Sequence, residues 1–221
     1  MIEFYDFGAG KGNSMIRSAR IWGGTGRGIE RNARRCAEAV ARGLDVRCVN
    51  LFDVMPDLQD AGADYATICH VLEHLPTLAM IRETVFHAAR VSRRFIYIEG
   101  PWCETDGALF RLGIKQRWND KPDDHPFPVN ALTIFSALRA TGKARSVSFY
   151  GRGRVLTQDH PDLRSIADGD TRTLAVPPAA LDGVFEEICC IASLAPDCDA
   201  ARKWEAAQAP NEIEKIMEWT A

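Results

Sequence analysis

The sequence predicts an α/β protein built on a doubly wound, mostly parallel sheet of seven strands with helices on both faces. Short apolar runs alternate with amphipathic segments of about 10 to 15 residues, the rhythm of βαβ units whose right-handed crossovers favour parallel pairing. The first run passes directly into a glycine-rich turn, as a buried strand does when it feeds a helix over a ligand. A chain of 221 residues, 46% hydrophobic and without an internal repeat, can bury one sizeable core, so a single domain over 1–221 is expected.

The elements follow in order. Ile2 to Phe7 is apolar and aromatic and ends at the glycines of GAGKG, which gives the first strand. Met15, Ile16, Ala19 and Trp22 share one helical face that stops at Gly23-Gly24. A short strand through Gly28, Ile29 and Glu30 comes next. Ala33, Cys36, Ala37 and Val40 then oppose Arg31, Arg34, Arg35 and Glu38 on an amphipathic helix closed by Gly43. Asp45 to Val49 is the third strand, Met55 to Gly62 a connection, and Tyr65 to Cys69 the fourth strand. Leu78, Ile81, Val85 and Ala88 line a helix before the fifth strand, Phe95 to Ile98.

After Gly100-Pro101 the texture changes. Trp102, Trp118, three prolines and Asp120, Asp123 and Asp124 predict an irregular insertion over 101–130, too long to be a plain connection. A helix over 131–140 and strands at Arg145–Tyr150 and Val184–Ala192 follow. Between those strands, 151–181 reads as a polar loop or flap. The tail from Ala200, with Trp204, Ile213, Ile216 and Trp219, reads as a terminal helix.

With 27 basic and 30 acidic residues the net charge is −3, so no field draws the protein to nucleic acid or to an anionic membrane, and neither is expected as a partner. Seven scattered cysteines without a C-x-x-C pair point to a reducing compartment. No leader and no apolar run of about 18 residues is present, so a cytoplasmic protein is expected.

Ligands of an open parallel sheet bind beyond the carboxyl ends of its strands. Asp6-Phe7-Gly8-Ala9-Gly10 stands at the first such end, where glycines let the backbone approach a ligand. Glu30, with Arg31 beside it, stands at the second, placed to accept from two ribose hydroxyls. Asp53 follows the third, and Cys69 and His70 close the fourth.

The succession FYDFGAGKG, GIERN, NLFDV, ADYATICHVLEHLP and FIYIEG resembles the motifs of class I S-adenosylmethionine-dependent methyltransferases over roughly residues 2 to 100. It looks closest to the small-molecule and glycan methyltransferases that carry V-L-E-H-L. The resemblance implies S-adenosylmethionine as cofactor, with the methionyl part at Asp6 and the ribose at Glu30. It places the adenine beside Asp53, or Phe52 one residue earlier, and has Cys69 to Leu72 line the pocket. Residues 1–100 would form the cofactor half. Family members often carry a helix before the first strand, and this sequence shows none. Cover for the substrate is therefore expected from 101–130 and 151–181, or from a partner subunit.

Two rivals claim the same residues. A nicotinamide fingerprint spaces its glycines G-x-G-x-x-G, whereas here the third comes one residue early and Asp6 would repel a pyrophosphate. The cationic amine and sulfonium of S-adenosylmethionine suit that acid. HVLEH at 70–74 matches the inverted zinc-peptidase motif H-x-x-E-H, but a strand leads into it and Pro76 follows, so a single helix cannot present both histidines and no metal ligand is assigned. His125, His74 and His70 are the candidate bases, His125 being otherwise a surface turn before Pro126. The expectation is methyl transfer to a hydroxyl or amine of a small polar acceptor, such as a sugar or glycan, by a monomer or homodimer. The alternative is a non-catalytic S-adenosylmethionine-binding partner subunit.

Overall fold

The computed structural model describes residues 2–120, 125–167, 176–209 and 211–221. Pro122, Asp123 and Asp124 of the first insertion lie outside the described residues, as do 168–175 of the second.

Five parallel strands come from the first hundred residues: β1 (Phe4–Phe7), β2 (Gly26–Glu30), β3 (Asp45–Cys48), β4 (Ala63–Cys69) and β5 (Ser92–Pro101). Helices α1 (Asn13–Trp22), α2 (Ala33–Ala41), α3 (Leu51–Val54) and α4 (Leu78–Val91) connect them, with Asn32, Asn50 and Thr77 side chains accepting the first free N–H groups of α2, α3 and α4. The chain then forms α5 (Asp106–Arg111), β6 (Ile114–Gln116), α6 (Ala131–Ala140), β7 (Ser146–Arg154), β8 (Leu163–Ser165), β9 (Phe185–Ser193), α7 (Ala200–Ala206) and β10 (Ile213–Thr220). The main sheet runs β10-β7-β9-β5-β4-β1-β2-β3, and β9 enters antiparallel between β5 and β7.

Period-two alternation assigns the two faces. Tyr5 and Phe7 join one apolar cluster with Val85 of α4 and Leu138 of α6, while Phe4 joins the other with Met15 of α1 and Trp204 of α7. On that second face Phe4, Tyr65 and Phe95 occupy matched register positions and stack with centroids 4.8 and 4.6 Å apart, fixing β1, β4 and β5 side by side.

Three expectations are corrected. The sheet has eight strands, not seven, because the tail is not one terminal helix: α7 ends at Ala206 and β10 pairs antiparallel with β7 along the sheet edge. A register shift between Lys215 and Met217 inserts an extra residue there. That bulge puts Ile213 and Trp219 on opposite faces although their spacing is even, and so it imitates a helical pattern. Finally, the stretch 151–181 is not all flap. β7 extends to Arg154, and β8 pairs with β6, tying the two insertions into one small two-stranded cover.

Candidate functional site

Two adjoining cavities open at the carboxyl edge of the parallel strands. The first, about 460 Å³, is walled by Gly8 after β1, Glu30 and Asn32 after β2, Phe52 of α3, and Val71 and Leu75 after β4. The second, about 400 Å³, lies between the sheet edge and the insertions, with Gln116, Arg117, Trp118, His125 and Asp162 facing Glu73, Glu186 and Glu187. His70 and His74 line both.

Backbone conformation closes the floor of the first cavity. Gly8 has φ +77°, and a Cβ there would stand 2.3 Å from Val71 Cγ2, so only glycine fits. Glu30 is buried. It accepts from Gly10 N–H at 2.8 Å and from Asn32 N–H at 2.7 Å, which clamps the glycine loop to the start of α2. A carboxylate has about four acceptor positions, so sites remain for a ligand hydroxyl.

Asp6 occupies a different place from the one its position in the motif suggests. It is fully buried and does not line the cavity, because the alternation of β1 turns it with Phe4 toward α1. There it accepts from Thr67 Oγ1 at 2.7 Å and from Ser14. Burial raises its carboxyl to about 6 despite the hydrogen bonds from Ser14 and Thr67. Asp6 thus ties β1 to the start of α1 and to β4.

His70 ends β4 with φ +53°, a left-handed conformation a histidine adopts at a cost of order 1 kcal/mol or more. Its ring contacts repay this. Nε2 lies 3.0 Å from Glu187 and 3.4 Å from Glu99, and Nδ1 lies 3.3 Å from Glu73. Burial opposes charge on the ring, but hydrogen bonds to Glu187, Glu73 and Glu99 overcome it and push the imidazole up to about 12. Both ring nitrogens face carboxylates, so His70 is an imidazolium that braces the junction and has no lone pair for a base. Glu99 beneath it accepts from Arg17 at 2.8 Å, pairs with Arg152 at 3.0 Å and accepts from Tyr97. Burial disfavours its charge, yet His70, Arg152 and Arg17 hold it well below the usual carboxylate range.

His74 and His125 meet across the second cavity with ring centroids 4.7 Å apart. His125 Nδ1 lies 2.9 Å from the Trp118 carbonyl, and Trp118 Nε1 donates to the Trp102 carbonyl at 3.0 Å. Trp102 itself is buried edge-on against Phe185 of β9, as part of the main apolar cluster.

The fold built from these parts has known counterparts. A methyltransferase from Archaeoglobus fulgidus that depends on S-adenosylmethionine superposes with a TM-score of 0.61 at 16% identity, over 87% of this chain and 86% of that one. A Haloferax volcanii methyltransferase, solved in complex with the Trm112 methyltransferase activator, gives 0.60 at 16% over 87% and 84%. The magnesium protoporphyrin IX methyltransferase of Synechocystis, solved with bound S-adenosylmethionine, gives 0.53 at 13% over 88% and 70%. This chain has the class I S-adenosylmethionine-dependent methyltransferase fold. No protein-family model and no curated protein matches the sequence.

Within that methyltransferase fold, Gly8, Glu30, Arg31, Phe52 and His70 line the first cavity, whereas Phe7, Ala9, Gly10, Cys69 and Asp53 do not. Phe7 and Cys69 are buried strand residues, and Asp53 is exposed on the outer side of α3, so Phe52 is the residue that turns inward. Sequence reasoning missed Asn32, Arg35, Leu75 and Met80 in the first cavity and Glu186, Glu187 and Asp162 in the second. The glutamates lie at the start of β9. An antiparallel strand brings its amino end to the edge where parallel strands end, so the acidic pair opening FEEICC was the available signal.

Proposed function

We propose that the protein transfers a methyl group from S-adenosylmethionine to a small polar acceptor held in the second cavity. The observation that carries this reading is the joining of the two cavities at His70 and His74. A cofactor along the strand ends would meet an acceptor under the insertions at that junction.

The first cavity suits the cofactor. Its volume falls in the range of about 300–1,000 Å³ for small-molecule sites, Glu30 keeps acceptor positions for the ribose, and Phe52, Val71, Leu75 and Met80 supply an apolar wall for the adenine. The group brings a methyl on a sulfonium that leaves without acid assistance. The chain therefore has to align the acceptor, exclude water and manage one proton. The paired β6 and β8 cover the acceptor, the imidazolium of His70 holds Glu187 and Glu73 in place, and His74 and His125 stand where they act on the acceptor proton. Carboxylates at Glu73, Asp162, Glu186 and Glu187 accept readily from neighbouring hydroxyls, which favours a sugar-like acceptor.

Calorimetric titration with S-adenosylmethionine, S-adenosylhomocysteine and reduced nicotinamide tests the reading. Saturable binding of the two sulfur compounds alone supports it. Binding of neither removes it.

A further inference from the structure

We infer that Glu73, His74 and His125 form a site for a divalent transition-metal ion of the zinc type, and that this ion binds and activates an acceptor oxygen in the second cavity. The inference rests on the methyl-transfer reading and narrows its acceptor to an oxygen nucleophile. It also departs from the sequence expectation of no metal ligand, and from the zinc-peptidase use of HVLEH, since it excludes His70 and recruits His125 from 51 residues beyond His74.

The three side chains each offer one ligand atom, all within 4.8 Å of one another. Donors around a tetrahedral zinc at about 2.0–2.1 Å stand roughly 3.3 Å apart, so closure requires side-chain movement of about an ångström and no refolding. Glu73 and His74 are adjacent on the short turn Leu72–His74, which brings both to one point.

The surroundings are those of a ligand set. His125 Nδ1 lies 2.9 Å from the Trp118 carbonyl, which leaves Nε2 as the ring nitrogen that can reach a metal. Glu73 is only 2% exposed, and His70 Nδ1 lies 3.3 Å from its Oε1, so the carboxylate is held in one orientation. Two imidazoles and one carboxylate leave at least one position open to the cavity, the pattern of a catalytic site rather than a closed structural one.

Coordination lowers the pKa of a bound hydroxyl, so that with the ion bound its proton passes to water at the cavity mouth and His74 and His125 serve as ligands instead of bases. The acceptor oxygen then uses a lone pair to form the new C–O bond while the methyl–sulfur bond breaks, its electron pair staying on sulfur. An amine would spend its lone pair on the metal, and so is disfavoured.

The neighbouring group His160, Asp162 and Glu186 is a weaker candidate. His160 Nδ1 accepts from Asp162 N–H at 3.2 Å, and Asp162 pairs with Arg117 at 3.1 Å.

The test is titration of the chelator-treated full chain with Co²⁺, followed by visible absorption and calorimetry, with S-adenosylhomocysteine affinity measured in parallel. One equivalent of Co²⁺ with d–d bands is expected, weakened about 10- to 100-fold in His125→Ala. His125 does not line the first cavity, so S-adenosylhomocysteine affinity should be unchanged in that variant and report that it is folded. Glu73→Gln tests the carboxylate. Absence of saturable Co²⁺ binding while S-adenosylhomocysteine binds overturns the metal site alone, as does Co²⁺ binding that ignores His125→Ala. Failure of S-adenosylhomocysteine with Co²⁺ retained overturns the methyl-transfer reading instead.

Discussion

The first cavity and the second are built in opposite ways. Walls of the first come from consecutive strand ends between Gly8 and Met80, each within a few residues of a strand held in the sheet. Walls of the second come from five separate places, namely the turn after β4, the ends of β5 and β9, and two insertions joined by the pairing of β6 with β8 and by the contacts of Arg117 with Asp162. A site on strand ends inherits the rigidity of the sheet. A site made of distant segments has its shape only when each docks, and so can change its lining without disturbing the first cavity.

The largest expected effect tests that independence. Trp102→Ala removes a buried side chain that meets Phe185 at 4.9 Å, and should cost about 3–5 kcal/mol locally. Hydrogen exchange of β6 and β8 should rise while S-adenosylhomocysteine affinity stays within a few-fold. A parallel fall in affinity would break the separation between the two cavities.

Glu30→Ala is the converse. Loss of the clamp on Gly10 and Asn32, together with the proposed ribose acceptor, should weaken S-adenosylhomocysteine by roughly 100-fold, or about 3 kcal/mol, with the insertion's exchange unchanged. Unaltered affinity would move the cofactor elsewhere.

Asp6 sharpens the comparison through pH. Its folded pKa of about 6 lies above the unfolded value of 3.8, so the folded state holds the proton more tightly. The resulting stability is complete below about pH 4 and is lost as the pH rises through about 6. In urea unfolding, Asp6→Asn should flatten this decline and gain up to about 3 kcal/mol at pH 7. A pH slope that survives the substitution would assign it to another group.

The smallest effect is at the sheet edge, where Arg139 Cζ lies 4.3 Å over the Trp219 ring. Arg139→Ala should cost about 0.5–1 kcal/mol in chemical unfolding. A cost well above this would mean that β10 is as integral to the sheet as β1.

The first hundred residues were legible because their signals are local. Helical periodicity, glycine stops and apolar runs located α1, α2, α4, α6 and β1 to β5, although β5 runs three residues further at each end than the apolar stretch Phe95–Ile98. Gly8, Glu30 and Phe52 followed from standing at strand ends. Asp6 shows the limit of that reasoning. Its motif position was clear, but the face it takes depends on the pleat of β1 against α1, and there it accepts from Ser14 and Thr67.

By itself, then, the sequence determined an α/β sheet with a ligand site over its first strands, because hydrophobic period and turn chemistry act over a few residues and need no knowledge of partners. Only the tertiary structure decided what long-range pairing controls. The bulge in β10 hid a strand inside a helical spacing, and β6 with β8 turned two apparent loops into one cover. The entry of β9 put Glu187 against His70, and the fold of the insertion laid His125 beside His74. Each joins residues tens of positions apart, and such contacts leave no period in the chain.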